Sequence, residues 1–537
     1  MGRSHRIRAR SVPSLLTACL LAAVPLGGAA AQKAGGILKA QQFNNPPSPS
    51  IHEEATVAVV VPFMAVFNNL VIYDQKVPQN STESIRPELA TEWKWNDDGT
   101  KLTFKLHEGV KWHDGKPFTA ADVKCTFDML TEKSTTQKLR RNPRGAWYGN
   151  VEQVSTSGDH EVTFELKRRQ PSLLNLLASG YTPIYPCHVS TDDMRKKPIG
   201  TGPFKFVSFN QNESIKLEKN KDYWRKGLPY LDGIEYAIIA SQSTRMLSFI
   251  AGNQDITFPS DVSPPLLKDI NSQAPHAQCT MRPSNVSTNL IINESAPPFD
   301  DPKMRRAMAL ALDRDAFNEI LNEGKASIGG TMLPPPAGVW GLPTEKVKTL
   351  VGYGDVEKNR EEARAIMREK GYGPDKRMKL KVITRNIPTF RNPAVIFLDQ
   401  LSEIYVDAEL EIIESAVYYN TVFQKKYSVG INQTGSAVDD PDQHFYENYA
   451  CGSLRNYTGY CNKDLEKKFD AQSAETDLEK RKQMVWEIDE FLTNEVVRPI
   501  IFHGVAAGCW QPYVKNYVLM VNSIYNGWRY DEVWLDK

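Results

Sequence analysis

The clearest regularity along the chain is alternation of apolar and polar residues in short runs, followed by helical spacing in longer ones. "KLTFKL" (101–106) and "EVTFELK" (161–167) alternate strictly, the pattern of a strand with one face buried. "DDG" (97–99) and "HDG" (113–115) supply turn residues beside the first of these, so a hairpin is expected there. "TAADV" (119–123) then opens a helix, with Thr119 as cap and Asp122 in the capping-box position. "GPFKFVSF" (202–209) leads through "NQNES" into "IKLEKN" (215–220), a second hairpin.

The period changes in the middle of the chain. From Pro302, apolar residues recur at helical spacing through Met304, Met308, Leu312, Phe317 and Leu321, and Gly324 stops the run. A helix over 357–373 ends at Gly371, and a strand at 378–384, a helix near 394–405 and a strand at 408–415 follow. Strands and helices in strict turn predict an α/β domain with a covered sheet. A long helix from about Thr476 to Asn494 closes that region, and the last 30 or so residues return to aromatic, strand-rich sequence. The return predicts that the C-terminus rejoins the first domain, leaving two lobes and a cleft between them, the usual place for a small ligand. The acidic stretch "NQTGSAVDDPDQHF" (432–445) shows nothing helical or strand-like after Thr434.

Length and charge narrow the function. A chain of 537 residues accommodates two or three domains. Lys and Arg total 65 against 64 Asp and Glu, so no net field draws nucleic acid. Arg3, Arg6, Arg8 and Arg10 precede the apolar run "LLTACLLAAVPLGGAAA" (15–31), which ends in small residues before Gln32. Residues 1–31 therefore read as a cleavable secretory signal rather than a lipid anchor at Cys19, and place the mature protein in the periplasm. Six cysteines follow, an even number suited to disulfides in an oxidising compartment. Cys451 and Cys461 form the best local pair, because Gly452, Asn456 and Gly459 let the intervening chain reverse; spacing leaves Cys125, Cys187, Cys279 and Cys509 open.

The chemical motifs of an enzyme are missing: there is no GxSxG elbow, P-loop, HExxH or CxxC. His444 with Asp440 and Asp442 has neither EF-hand nor zinc spacing, so no metal site and no cofactor are expected. The 10 Trp, 21 Tyr and 21 Phe include many in polar stretches, suited to a cleft that takes up a polar organic ligand.

Three long motifs, "ELATEWKWNDDGTKLTFKLHEGVKWHDGKPFTAADV", "IGTGPFKFVSFNQNESIKLEKNKDYWRKGLPYLDGIEY" (199–236) and "PPFDDPKMRRAMALALDR" (297–314), closely resemble the peptide/nickel/opine class (family 5) of extracytoplasmic solute-binding proteins of ABC importers. The resemblance runs over nearly the whole mature chain. It implies an α/β, two-lobed periplasmic-binding-protein fold (type II, cluster C) with an extra subdomain in lobe one and a hinge. Lobe one would be 33–286 plus 505–537 and lobe two 287–504. It also implies a monomer that carries a peptide, opine or other carboxylated small molecule to inner-membrane permease subunits. A metal or metallophore receptor, a chemosensory receptor and a secreted hydrolase using Asp439 and Asp440 are the alternatives.

The same resemblance places ligand residues. Segment 414–445 is similar to the family's lobe-two ligand segment: Tyr419 falls on its aromatic position and Gly435 on or beside a position that is often Trp. Peptide binders of the class keep an Asp three residues before the Asp of "DP" to pair with an α-ammonium; here Ala437 stands there, and Gly435, Ser436 and Ala437 imply a roomier pocket. Asp439 substitutes only if the loop turns it inward. "RNIPTFRNP" (385–393) resembles the segment carrying an Arg for the ligand carboxylate, which makes Arg391 the first candidate and Arg385 the second.

Overall fold

The computed structural model describes residues 32–537 except 259, 260 and 521, so the secretory signal at 1–31 lies outside the described residues. The two hairpins seen in the pattern of residues form. Ala90–Trp95 and Lys101–Leu106 pair antiparallel around a turn in which Gly99 takes a φ of 70°, a conformation that costs glycine little. Leu102, Phe104 and Leu106 face the core while Lys101 and Lys105 face water, as the alternation requires. Glu161–Leu166 and Val151–Thr156 complete this four-stranded antiparallel sheet. The helix Ala120–Leu130 packs beside it, and the Thr119 amide donates to Asp122 Oδ2 at 3.0 Å, closing the capping box.

A second four-stranded sheet runs in the order Ile37–Gln42, Gly233–Ile238, Ser214–Lys219, Phe204–Asn210. Its first pair is parallel and the others antiparallel. One hydrophobic core joins both of these sheets, and Leu519, Ile524, Tyr525, Trp528 and Leu535 of the chain's end pack into it. Among the described residues, that end carries only the two-residue strands Val514–Lys515 and Trp534–Leu535. The aromatics there serve packing, so the expected strand-rich tail is largely irregular.

The third sheet has five strands: Val406–Ile413, Met378–Arg385 and Val429–Gly435 are parallel, followed by antiparallel Gln278–Ile292 and Ile500–Trp510. Helices Pro302–Leu310, Val356–Glu369 and Pro388–Ser402 contribute to the second main core, around Leu290, Val382 and Phe397. The helical spacing from Met304 to Leu321 yields two helices instead of one. Asp313 accepts from the Ala316 amide at 2.9 Å and caps a new helix, Arg314–Asn322. A cap here ends one helix and starts another without disturbing the apolar period, because Leu312 remains buried in the break.

Two long strands connect the cores. Gln278–Ile292 and Ile500–Trp510 pair from Gln278↔Trp510 to Pro283↔Val505, shift register, resume at Ser287↔His503, and shift again before Asn289↔Ile500. One end of the ribbon packs with Phe249 and Ile270, the other with the core around Leu290. The six cysteines of the described residues are paired: Cys125–Cys187, Cys279–Cys509 and the expected Cys451–Cys461.

Candidate functional site

The parallel strands Met378–Arg385 and Val429–Gly435 are neighbours in this sheet, and open α/β sheets bind ligands beyond the carboxyl ends of such strands. Here the ends carry Arg385 and Gly435, and the first turn of helix Pro388–Ser402 adds Thr389 and Phe390. Helix Ser415–Phe423 contributes Tyr419. The opposing wall comes from the first core: Phe43, Thr56, Phe258, Asp261, Ile524 and Tyr525. Together they line one cavity that opens to solvent.

Arg385 is the chemical centre of this cavity. It is only 3% exposed, yet no carboxylate of the described residues lies within ion-pairing distance. Its Nη1 donates to Tyr419 Oη at 3.2 Å, and its Nη2 and Nε donate to Ser415 Oγ at 3.0 and 3.3 Å. The guanidinium carbon lies 4.7 Å from the Phe390 ring centre and 5.1 Å from that of Tyr419, so both rings are within cation–π reach of it. A guanidinium fixed by hydroxyls and rings presents its planar fork in a set orientation, on which a carboxylate can dock in two-point fashion.

The other charges near the cavity are already matched. Arg455 pairs with Glu447; burial disfavours its charge, but Glu447 and neighbouring tyrosines more than restore it. Asp261 receives Arg245 Nε at 2.5 Å and Nη2 at 2.7 Å, both partners buried. Arg385 is thus the cationic centre of the described wall with no acidic partner.

The remaining expected residues sit elsewhere. Arg391 is half-buried on helix Pro388–Ser402 and does not line the cavity. Strand Met378–Arg385 delivers its last residue to the site, whereas the residue one turn into the following helix is carried past it. Ser436 and Ala437 also lie behind the wall. Gln443 Oε1 accepts from the amides of Ala437 and Val438 at 2.6 and 3.0 Å and from Ser436 Oγ at 3.0 Å, and Asn526 Nδ2 donates to the Ala437 carbonyl at 2.7 Å. The Ala437 side chain is enclosed in the first core.

Asp439 does not face the cavity either. Asn522 Nδ2 donates to its Oδ2 at 3.2 Å, and burial pushes its carboxyl up to about 6. The stretch after Thr434 proves regular, since a helix, Pro441–Asn448, begins at the proline with Asp440 as its cap. Both acids that flank Pro441 are structural. Asp440 receives Arg481 at 2.9 and 2.7 Å; Asp442 receives Ser172 Oγ at 2.6 Å, Gln472 Nε2 at 2.6 Å and Arg481 Nη2 at 3.3 Å. Burial lowers His444 to about 3 and keeps it neutral, and no group of three or more His, Cys, Asp or Glu among the described residues is arranged to hold a metal ion.

Phe43, Phe258, Ile524 and Tyr525 also line the cavity and lie outside the family motifs that place ligand residues, whereas Gln433, in 414–445, and Phe390, between the two candidate arginines of "RNIPTFRNP", lie inside them. Gly435 is small because Tyr525 occupies the space its side chain would need: a Cβ there would overlap the Tyr525 hydroxyl and come within 2.9 Å of Cε2.

The family model described as bacterial extracellular solute-binding proteins, family 5 Middle, matches residues 84–456. The di/tripeptide-binding protein 1 of Pseudomonas aeruginosa (strain UCBPP-PA14) is 25% identical, with 96% of each chain covered. Among solved structures, DppA of Helicobacter pylori in complex with the peptide STSA has a TM-score of 0.81 at 21% identity, covering 94% of this chain and 99% of that one. AgaA of A. tumefaciens R10 in complex with agropinic acid has a TM-score of 0.79 at 20% identity, with 94% and 99% covered. These structural likenesses show the fold, that of the two-lobed periplasmic binding proteins.

Proposed function

We propose that this chain, which belongs to the family 5 bacterial extracellular solute-binding proteins, captures a small carboxylated solute in the Arg385 cavity and delivers it to an ABC permease. It would act as a periplasmic monomer without turning its ligand over. The observation that carries the anionic preference is Arg385, a buried guanidinium whose neighbours are hydroxyls and aromatic rings. Leaving such a charge unpaired costs several kcal/mol, which a docking carboxylate offsets. Peptides, opines and other carboxylates all present that group.

The two lobes are taken as 33–286 plus 505–537 and 287–504. The register break between Pro283 and Ser287, opposite Val505 and His503, supports a hinge at this boundary, because the ribbon has fewest ladder contacts there. Closure brings Tyr525 and Phe258 against Tyr419 and Gly435, and the ligand favours the closed state by touching both walls. Ser436, Ala437 and Asp439 support the wall from behind instead of touching the solute.

A thermal-shift panel of di- and tripeptides, opines and N-acyl amino acids tests the reading. A ligand at 100 times its Kd should stabilise the protein by about 2.7 kcal/mol. Arg385→Ala should abolish that shift and Arg391→Ala should keep it. Undiminished stabilisation of Arg385→Ala by the same carboxylate overturns the assignment.

A further inference from the structure

A second chamber, open to solvent, adjoins the first, and the two share Val286, Thr389 and Gln433 in their walls. Although 24% of the chain is Asp, Glu, Lys or Arg, no described residue lining this chamber carries a formal charge. Pro264, Pro265, Pro388, Pro393, Val262 and Phe502 make much of its surface.

Two details say what such a surface suits. Ile320 lines the chamber and, at 62%, is the most exposed large apolar side chain among the described residues. The polar side chains in the wall spend donors on the protein itself: Gln433 Nε2 donates to the Thr389 carbonyl at 3.2 Å and Gln242 Nε2 to the Asp261 carbonyl at 2.8 Å. Across both chambers the one carboxylate in the described lining is Asp261, and Arg245 takes both of its oxygens. An ammonium group entering either chamber would find no free acid in the described lining, and in the buried part of the first it would lose its hydration without gaining a partner.

We propose that the solute is an amphiphilic monoanion whose carboxylate sits on Arg385 while an uncharged, mainly apolar body, with any amine acylated, extends into the second chamber. This rests on the carboxylate reading of the first chamber and adds the chemistry of the rest of the molecule. The shared wall sets the direction in which the body extends, and the uncharged lining of the second chamber offers zwitterionic and dianionic extensions no ionic partner.

The test is calorimetric titration of the full mature chain with N-acetyl-, N-butanoyl-, N-hexanoyl- and N-octanoylglycine, and with glycylglycine beside N-acetylglycylglycine. Affinity should rise by up to about fourfold per added methylene until the chamber is filled, and the acetylated dipeptide should bind at least about tenfold more tightly than the free-amine form. Asn392→Trp and Ile320→Trp, both at exposed helix positions lining the second chamber, should flatten the dependence on chain length and leave N-acetylglycine unchanged. Binding of N-acetylglycine that needs Arg385 but gains nothing from longer chains, or tighter binding of glycylglycine, overturns this proposal and leaves the first chamber's reading standing. Binding of none of the acylglycines overturns both.

Discussion

Gly435→Ala should oppose closure of the cleft. Gly435 ends a strand of the five-stranded sheet, whereas Tyr525 belongs to the first core, so under the proposed hinge closure their contact lies where the two walls meet. A Cβ at 435 would overlap the Tyr525 hydroxyl and lie 2.9 Å from Cε2 and 3.0 Å from Cζ. The ring cannot swing freely, because it is buried against Tyr181 with ring centres 4.9 Å apart. Overpacking of this kind costs about 1–3 kcal/mol, which multiplies the open-to-closed ratio by roughly 5 to 150. Small-angle scattering should show a larger radius of gyration for Gly435→Ala, and affinity for any ligand that bridges the walls should fall by the same factor. Tyr525→Phe removes the worst of the overlap and should recover part of both effects in the double variant. A Gly435→Ala protein with wild-type dimensions and wild-type affinity would refute the reasoning.

Other perturbations follow from the same structure. Replacing the disulfides singly by alanine pairs should cost stability in the order Cys279–Cys509, Cys125–Cys187, Cys451–Cys461: their separations of 230, 62 and 10 residues correspond to about 5.5, 4.3 and 2.7 kcal/mol of loop entropy, read by chemical denaturation. Arg481→Met leaves Asp440 and Asp442 buried without their guanidinium and should destabilise by about 3–5 kcal/mol, with Asp440→Asn restoring part of the loss. Asp439 titrates near 6 in the folded protein against 3.8 for its ordinary value, so the unfolded chain ionises first and native stability falls as pH rises from 4 to 6. Asp439→Asn removes that loss and should stabilise by about 3 kcal/mol above pH 6 and by nothing below pH 4, measured as the pH profile of the denaturation midpoint.

Local pattern carried much of the fold because the periods of two and 3.6 report directly on burial. Leu102, Phe104 and Leu106 alternate inward, and the Thr119–Asp122 box starts its helix where the spacing places it. The break at Asp313 escaped the pattern, since a cap changes the backbone direction while Leu312 keeps the apolar rhythm. The cavity was legible in part: Tyr419, Gly435 and Arg385 lie in segments singled out by motif, and all three line it. Ranking Arg391 above Arg385 depended on where strand gives way to helix, a boundary the residues "RNIPTFRNP" do not mark. Long-range packing hid the rest. Nothing in the sequence near Ala437 shows that Gln443 and Asn526 fasten its backbone against the first core, or that Tyr525, 90 residues away from Gly435, fills the place of its side chain.

An anionic solute held at Arg385 can be sought by native mass spectrometry of the mature protein incubated with an equimolar mixture of small carboxylates, amines and neutral analogues. One-to-one adducts should form with carboxylates alone, be retained by Arg391→Ala and be lost from Arg385→Ala. Selection of an amine or a neutral analogue, or carboxylate adducts that persist undiminished in Arg385→Ala, would show that Arg385 does not hold the solute.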